Sequence, residues 1–430
     1  MNRAKSSNKN ALFTIITVLL IVLFLEVLLN LFALTSPKAN RLLASPREYS
    51  DRDIPHERLG LIGNPAFPEH DNKGFRNPEV PAKVDLVALG DSQTYGCSVK
   101  PEHSWPRQLE NIIVETTYNM AYGGWGPPSN LILWDAAIAF EPKIVIATFY
   151  PGNDLYDAFN AVYKRNEFVE LKSSDPQVQE RVRNYEELEP LDERIRRIQN
   201  YLWMTPKTSM KPWNYVETDE TRTVFSIKRL LSTKSKLYGL LRRTRYELKQ
   251  IKLERPGKAW DKALAYAEAH AAYCEPFDNG QFKTVFTSKY RQIGLDLKDP
   301  RIAEGHKISM RAIQTMNKRA DDEKIRFIVL LIPTKEMVFS ELWSDPPLAY
   351  RNYTEMECHV SKITKDFLQQ NGIEYIDALA ALQECLDNKI QPYEFSWDGH
   401  PNKHGTRAIA KGIAAYLMKH STEKSFKSEP

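Results

Sequence analysis

Ser92 ends the run Val84-Asp85-Leu86-Val87-Ala88-Leu89-Gly90-Asp91, in which an apolar, strand-forming segment gives way abruptly to a small-residue turn. A serine at such a turn is a candidate nucleophile, although Gly-Asp-Ser is a short string that also serves as an ordinary N-cap. Its hydroxyl is a weak nucleophile at neutral pH and needs an adjacent base, and that base needs a partner to fix its tautomer. His400 and Asp398, in Trp397-Asp398-Gly399-His400-Pro401-Asn402, supply both residue types. Two further segments offer donors for negative charge developing on a carbonyl oxygen. Asn119-Met120-Ala121-Tyr122-Gly123-Gly124-Trp125-Gly126 is glycine-dense, so its backbone N–H groups can approach a ligand closely. Pro151-Gly152-Asn153-Asp154 follows the apolar run Ile144–Tyr150 and brings a side-chain amide. The chemistry these types suggest is attack of a serine on an ester carbonyl.

Taken together and in this order, the four segments resemble the SGNH (GDSL-type) hydrolases, whose blocks are Gly-Asp-Ser, a glycine block, Gly-x-Asn-Asp and a terminal Asp/His block. The resemblance covers residues 84–154 and 323–418. It implies that Ser92 attacks the ester, His400 moves the proton and Asp398 orients the imidazole. It also implies an oxyanion hole made of the Ser92 and Gly124 backbone N–H groups and the Asn153 amide, each donor worth about 3–4 kcal/mol when removed. Gly123 and Gly126 compete with Gly124, and Asn119 is expected either to join the site or simply to hold its loop. His404 is the rival of His400, but His400 sits in the block before the last helix. Asp91 and Asp154 read as turn or N-cap carboxylates beside helix N-termini. No cofactor or metal is implied: the four cysteines form no CxxC or Cys/His ligand spacing.

These residues need elements to position them. Buried strand-like runs alternating with helical segments argue an α/β fold, a three-layer α/β/α parallel sheet of the SGNH-like (flavodoxin-like) kind. The resemblance divides the chain into a first hydrolase part at 81–154, a large mixed helical/β insertion at 155–322 and a second part at 323–420, with a flexible tail at 421–430. Inside the insertion, 173–202 is charged and helical, 226–254 is a basic helical stretch, and 258–272 has helical spacing through Trp260, Leu264, Ala267 and Ala271. Phe282–Thr287 through Gln292–Leu295 reads as short strands forming a hairpin. The insertion's charges read as solvated faces, or else as a cap or a basic surface facing anionic lipid or polysaccharide. Lys335 and Glu336 follow the strand Ile325–Ile332, either in a plain exit turn or reaching substrate.

Ahead of the catalytic blocks, Ala11–Leu34 is almost uninterruptedly apolar and follows Arg3, Lys5 and Lys9, so that 1–10 reads as a cytoplasmic flank. As a helix it spans about 36 Å against a bilayer core of about 30 Å. The basic flank orients the remainder outward. Leu34-Thr35-Ser36-Pro37 is a poor cleavage site, which favours a retained transmembrane anchor over a signal peptide. Glu26 and Asn30 share one face of that helix, either at the outer interface or against a partner helix. Residues 35–80 are rich in turn formers and read as a stalk ending against the domain. In an oxidising compartment Cys358 and Cys385 would be the pair to form a disulfide.

A composition of 42% hydrophobic and 27% charged residues is that of a folded protein. The net charge of +4 with no basic, aromatic-interleaved stripe excludes nucleic acid as an expected partner. Three functions fit: an esterase removing an O-acyl group, foremost O-acetyl from an extracytoplasmic carbohydrate; an acyltransferase using the same triad on a polysaccharide; or a non-catalytic tethered assembly protein. A partner in an export complex stays unidentified.

Overall fold

The β-branched and aliphatic runs do form the sheet. In the computed structural model, strands β1 (Asp53–His56) and β2 (Gly60–Gly63) make a small two-stranded sheet. Strands β3 (Leu86–Leu89), β4 (Thr117–Asn119), β5 (Ile144–Phe149), β8 (Arg326–Leu331) and β9 (Tyr375–Asp377) form the main one. Its order is β4-β3-β5-β8-β9, every pair parallel, with Leu86 opposite both Thr117 and Ile144, Ile144 opposite Arg326 and Val329 opposite Tyr375. Counting these strands alone, the order is 2-1-3-4-5, which places ligand sites at the carboxyl ends of the strands. The structure describes residues 2–35, 39–40, 43, 52–65, 67, 69–113, 115–203, 235–253 and 256–426.

Period-two alternation sends successive side chains to opposite faces of the sheet. Leu86, Ala88, Ile146, Ile328, Leu330 and Ile376 pack with Trp105 and Leu109 of helix Trp105–Ile113, Leu382 of Leu379–Asp387, and Ile409 and Ile413 of Lys403–Phe426. Each large aliphatic side chain so buried contributes roughly 1.5–3 kcal/mol. The opposite face carries helices Pro127–Ile132, Asp154–Phe159 and Pro300–Asp322, with Trp134 edge-on to Phe327 at 5.8 Å.

Several expectations shift. Helix Pro300–Asp322 buries Ile302, Ile308, Ile313 and Met316 and packs on β8, so it is the crossover into that strand and belongs to the α/β layers rather than to the inserted segment. The hairpin pairs β6 (Glu275–Asp278) with β7 (Lys283–Phe286), while Gln292–Leu295 lies in helix Ser288–Leu295. The terminal helix runs to Phe426, past the expected tail boundary. The charged stretch forms helices Pro176–Leu188 and Leu191–Trp203. Residues 204–234, which include the start of the basic stretch at 226, lie outside those described. Cys358 and Cys385 are both free. Cys385 packs on the cluster containing Leu330, whereas Cys358 borders Leu331 and Phe149 on the other face, so the sheet stands between them.

Residues Met1–Ile54, Gly63–Gly74 and Pro212–Arg255 form one compact unit, and Pro55–Ile62, Phe75–Lys211 and Pro256–Pro430 a second. The first contains helix Asn2–Thr35, whose segment Leu12–Thr35 is long and apolar enough to cross a membrane and has no fully buried residue. The second contains the sheet and the candidate site.

Candidate active site

Strand β3 ends at Leu89, and Gly90 makes the turn possible: a Cβ there would collide with Thr94 Oγ1 and sit 2.9 Å from Thr148 Cβ. Asp91 then caps the short helix Ser92–Tyr95, its carboxylate accepting from Gln93 N at 2.9 Å. Ser92 is the first residue of that helix, where a backbone N–H has no intrahelical partner and faces outward. Gly96 closes the helix at φ 80°, a left-handed conformation suited to glycine.

Ser92 Oγ lies 2.8 Å from His400 Nε2, and His400 Nδ1 lies 2.5 Å from Asp398 Oδ1. His400 N also donates to Asp398 Oδ1 at 3.1 Å, and Ser98 Oγ donates to Asp398 Oδ2. Burial works to lower the imidazole's pKa, but the Asp398 carboxylate, aided by Cys97, outweighs it and holds His400 well above the ordinary histidine value. Burial likewise works to raise Asp398, and the facing imidazole with the bonds from His400 and Ser98 keeps it below the usual carboxylate range. His404 lies on the terminal helix; burial, Lys403 and Arg407 lower its pKa, and its backbone N–H is bound to Asn402 Oδ1 at 2.9 Å.

The other named residues also stand at the carboxyl ends of strands. The chain after β4 runs beside the Ser92 turn, Met120 N donating to Ala88 O at 2.8 Å and Tyr122 N to Gly90 O at 3.2 Å. Asn119 holds this loop: Nδ2 donates to Thr94 O at 2.9 Å, and Oδ1 accepts from Ala121 N at 3.1 Å. Gly124 has φ 75° and open space around its missing Cβ, whereas a Cβ on Gly126 would meet Asp154 O at 3.3 Å, marking Gly126 as a packing glycine. Asn153 precedes helix Asp154–Phe159, and its Nδ2 donates to Asp157. That bond uses one amide hydrogen and fixes the direction of the other. Asp154 is a turn carboxylate, accepting from Tyr150 N at 2.8 Å. Burial raises Asp91 to about 6, Asp157 to about 7 and Asp154 well above the ordinary carboxyl value.

Lys335 and Glu336 open the short helix Lys335–Val338 that follows the strand, and both are buried. Lys335 is fully buried, its Nζ donating to the carbonyls of Val285, Ser396 and Asp398 at 2.7, 2.8 and 3.1 Å. Burial lowers it to about 8, which leaves it charged at neutral pH. Glu336 accepts from Thr287 N at 3.0 Å and faces Arg291 at 3.3 Å; Arg291 in turn donates to Tyr150 Oη at 3.0 Å. The inserted elements press on the same loop. Thr284 Oγ1 donates to Glu394 O at 3.1 Å, and Trp397 stacks on Tyr266 at 6.0 Å beside a cluster built from Ile198, Leu202, Trp260 and Val285.

Sequence reasoning missed Ser98, Asp157, Asn77 and Arg76. Asn77 exchanges two bonds with the Asn119 backbone, at 2.9 and 3.0 Å. Arg76 reaches the carbonyls of Tyr95, Gly96 and Val99 and lies 4.9 Å above the Tyr95 ring. Its guanidinium thus finishes helix Ser92–Tyr95. Arg76→Met is expected to destabilise the fold by about 2–3 kcal/mol, since it strips charge-assisted bonds from buried carbonyls; chemical denaturation checks this, and an unchanged midpoint would refute it.

No family model matches the sequence, and no curated protein matches it. Among solved structures, the chain is similar to a G-D-S-L family protein described as lipolytic from Desulfitobacterium hafniense DCB-2, at 11% identity and a TM-score of 0.33, over 78% of this chain and 99% of that one. It is similar also to a mutant acetyl-xylooligosaccharide esterase from Geobacillus, at 11% identity and a TM-score of 0.33, over 78% of this chain and 94% of that one.

Proposed function

We propose that this chain is a membrane-anchored serine esterase of the SGNH type, acting on an O-acyl ester, foremost O-acetyl on carbohydrate, outside the cytoplasm. The observation that carries the reading is the relay Ser92 Oγ, His400 Nε2, His400 Nδ1, Asp398 Oδ1, at 2.8 and 2.5 Å, assembled from opposite ends of the domain. Ser92 attacks the acyl carbonyl while His400 takes its proton. The N–H groups of Ser92 and Gly124 and the Asn153 amide hold the oxyanion. His400 returns the proton to the leaving alkoxide, and water releases the acyl group by the reverse order of steps. The reaction class follows from the constellation, and O-acetyl on carbohydrate is the substrate proposed for it. The outward orientation follows from Arg3, Lys5 and Lys9 ahead of the apolar helix.

The test is hydrolysis of p-nitrophenyl acetate by the full chain in detergent, with Ser92→Ala alongside. Turnover lost in the variant supports the esterase; a Ser92-dependent burst without turnover points to acyl transfer onto a missing acceptor. Absence of both, with no labelling of Ser92 by a fluorophosphonate, overturns the reading.

The pH dependence has a definite sign. His400 accepts a proton only when neutral, and its pKa is raised in the folded protein. The acid limb of kcat/KM is therefore expected above the pH of about 6.5 that marks a free imidazole. Asp398→Asn should lower the rate by about 10⁴-fold and move the limb to lower pH. A wild-type limb at or below the free value would refute the coupling.

A further inference from the structure

Within the anchor, Glu26 is the residue that membrane burial penalises most. The uncharged stretch before it, Asn10–Leu25, spans only about 24 Å as a helix, short of a hydrocarbon core of about 30 Å. A helix crossing from the basic flank therefore carries Glu26 into the outer half of the bilayer, where an ionisable group demands partners. The chain supplies them. Glu26 Oε1 accepts from Lys236 N at 2.6 Å, and Oε2 accepts from Ser235 Oγ at 2.8 Å and Leu237 N at 3.1 Å. Asn30 Nδ2 donates to Oε1 at 2.9 Å, which accounts for the pairing of these two residues on one face. Ser235 Oγ meanwhile accepts from Tyr238 N at 3.0 Å. The first three N–H groups of helix Lys236–Leu253 are thus satisfied, and its positive end rests on a carboxylate.

A helix that starts at this depth begins at lipid, and its composition suits that place. The sequence KLYGLLRRTRYELKQIKL holds six basic residues and one acidic residue, interleaved with leucines. Leu241 and Leu248 are 61% and 56% exposed, an arrangement unfavourable in water. Lys236 Nζ reaches Asn40 Oδ1 at 2.8 Å, a residue that follows the apolar span in sequence. Basic side chains with long apolar stems keep their charges at the headgroups while the leucines enter the acyl boundary.

We propose that helix Lys236–Leu253 is a second membrane element, docked on the anchor through Glu26 and lying in the outer-leaflet interface with its arginines on anionic phospholipid headgroups. The inference rests on the anchor reading. Each basic residue near an anionic surface contributes about 1 kcal/mol, and the summed attraction weakens with salt.

The test is hydrogen exchange, read by mass spectrometry over residues 235–253, of the full chain in nanodiscs of phosphatidylcholine alone and of phosphatidylcholine with phosphatidylglycerol. Expected is at least tenfold slower exchange with phosphatidylglycerol, a gain lost in Arg242→Glu/Arg243→Glu/Arg245→Glu, and faster exchange at 236–238 in Glu26→Leu. Equal exchange in the two lipids overturns the headgroup assignment. Unchanged exchange at 236–238 in Glu26→Leu overturns the docking. Failure of the chain to enter nanodiscs or float with vesicles would instead defeat the anchor reading, a separate outcome.

Discussion

Replacing His400 with alanine is expected to lower esterase kcat/KM by on the order of 10⁴- to 10⁶-fold while leaving the fold intact. The imidazole stands between Ser92 Oγ and the Asp398 carboxylate, so its loss removes the base bonded to the hydroxyl and leaves the oxyanion donors acting alone. Ser92→Ala should fall to the same floor, and the double variant no lower, because the two groups act as one unit. His404→Ala provides the contrast. Its imidazole lies among Lys403 and Arg407 and holds neither the serine nor an acid, so activity should stay within about twofold of wild type, a change of under 0.5 kcal/mol. Steady-state kinetics on p-nitrophenyl acetate, with circular dichroism as a folding control, reads all four. Equal losses in His400→Ala and His404→Ala would sink the assignment.

The relay was legible because it uses residue types that chance seldom strings in that order, at the ends of runs whose period identifies them as buried strands. Ser92, His400 and Asp398 accordingly meet in the structure, and the five-stranded parallel sheet follows from the apolar runs at 86–89, 144–149 and 326–331. What stayed hidden were partners whose role depends on three-dimensional proximity alone. Arg76 and Asn77 lie in a stretch dominated by turn formers, yet the two side chains bind the backbone that closes helix Ser92–Tyr95 and the backbone of Asn119. Asp157 is one turn beyond Asn153 on the same helix face, a signal the i, i+4 spacing did offer. Cys358 and Cys385 were paired by sequence spacing, which carries no information about the sheet that separates them. Glu26 reads from sequence as lying either at the outer interface or against a partner helix; the helix it meets belongs to its own chain, more than two hundred residues away in sequence.

Lys335 carries the second large expectation, and it concerns how the acid and base are held in place. An ammonium with no solvent exposure survives only if its hydrogens are bonded, and here they go to three carbonyls, of Val285, Ser396 and Asp398. These belong to the hairpin and to the loop that carries Asp398 and His400, so one side chain ties the inserted segment to the relay. Lys335→Met keeps the length and apolar stem but strands all three acceptors, and the loss should be about 3 kcal/mol or more. For a unit of this size that is a fall in melting temperature of roughly 4–5 °C. A purely structural lysine would stop there. This one also places a positive charge near Asp398, which makes a proton on the neighbouring imidazole less favourable. Removing it lets the carboxylate act on His400 unopposed, so the imidazole pKa should rise and the acid limb of kcat/KM should move to higher pH. Thermal unfolding together with the pH profile separates the two effects. A lower melting temperature with an unmoved limb would confine Lys335 to stability, and an unchanged melting temperature would refute its role in holding the loop.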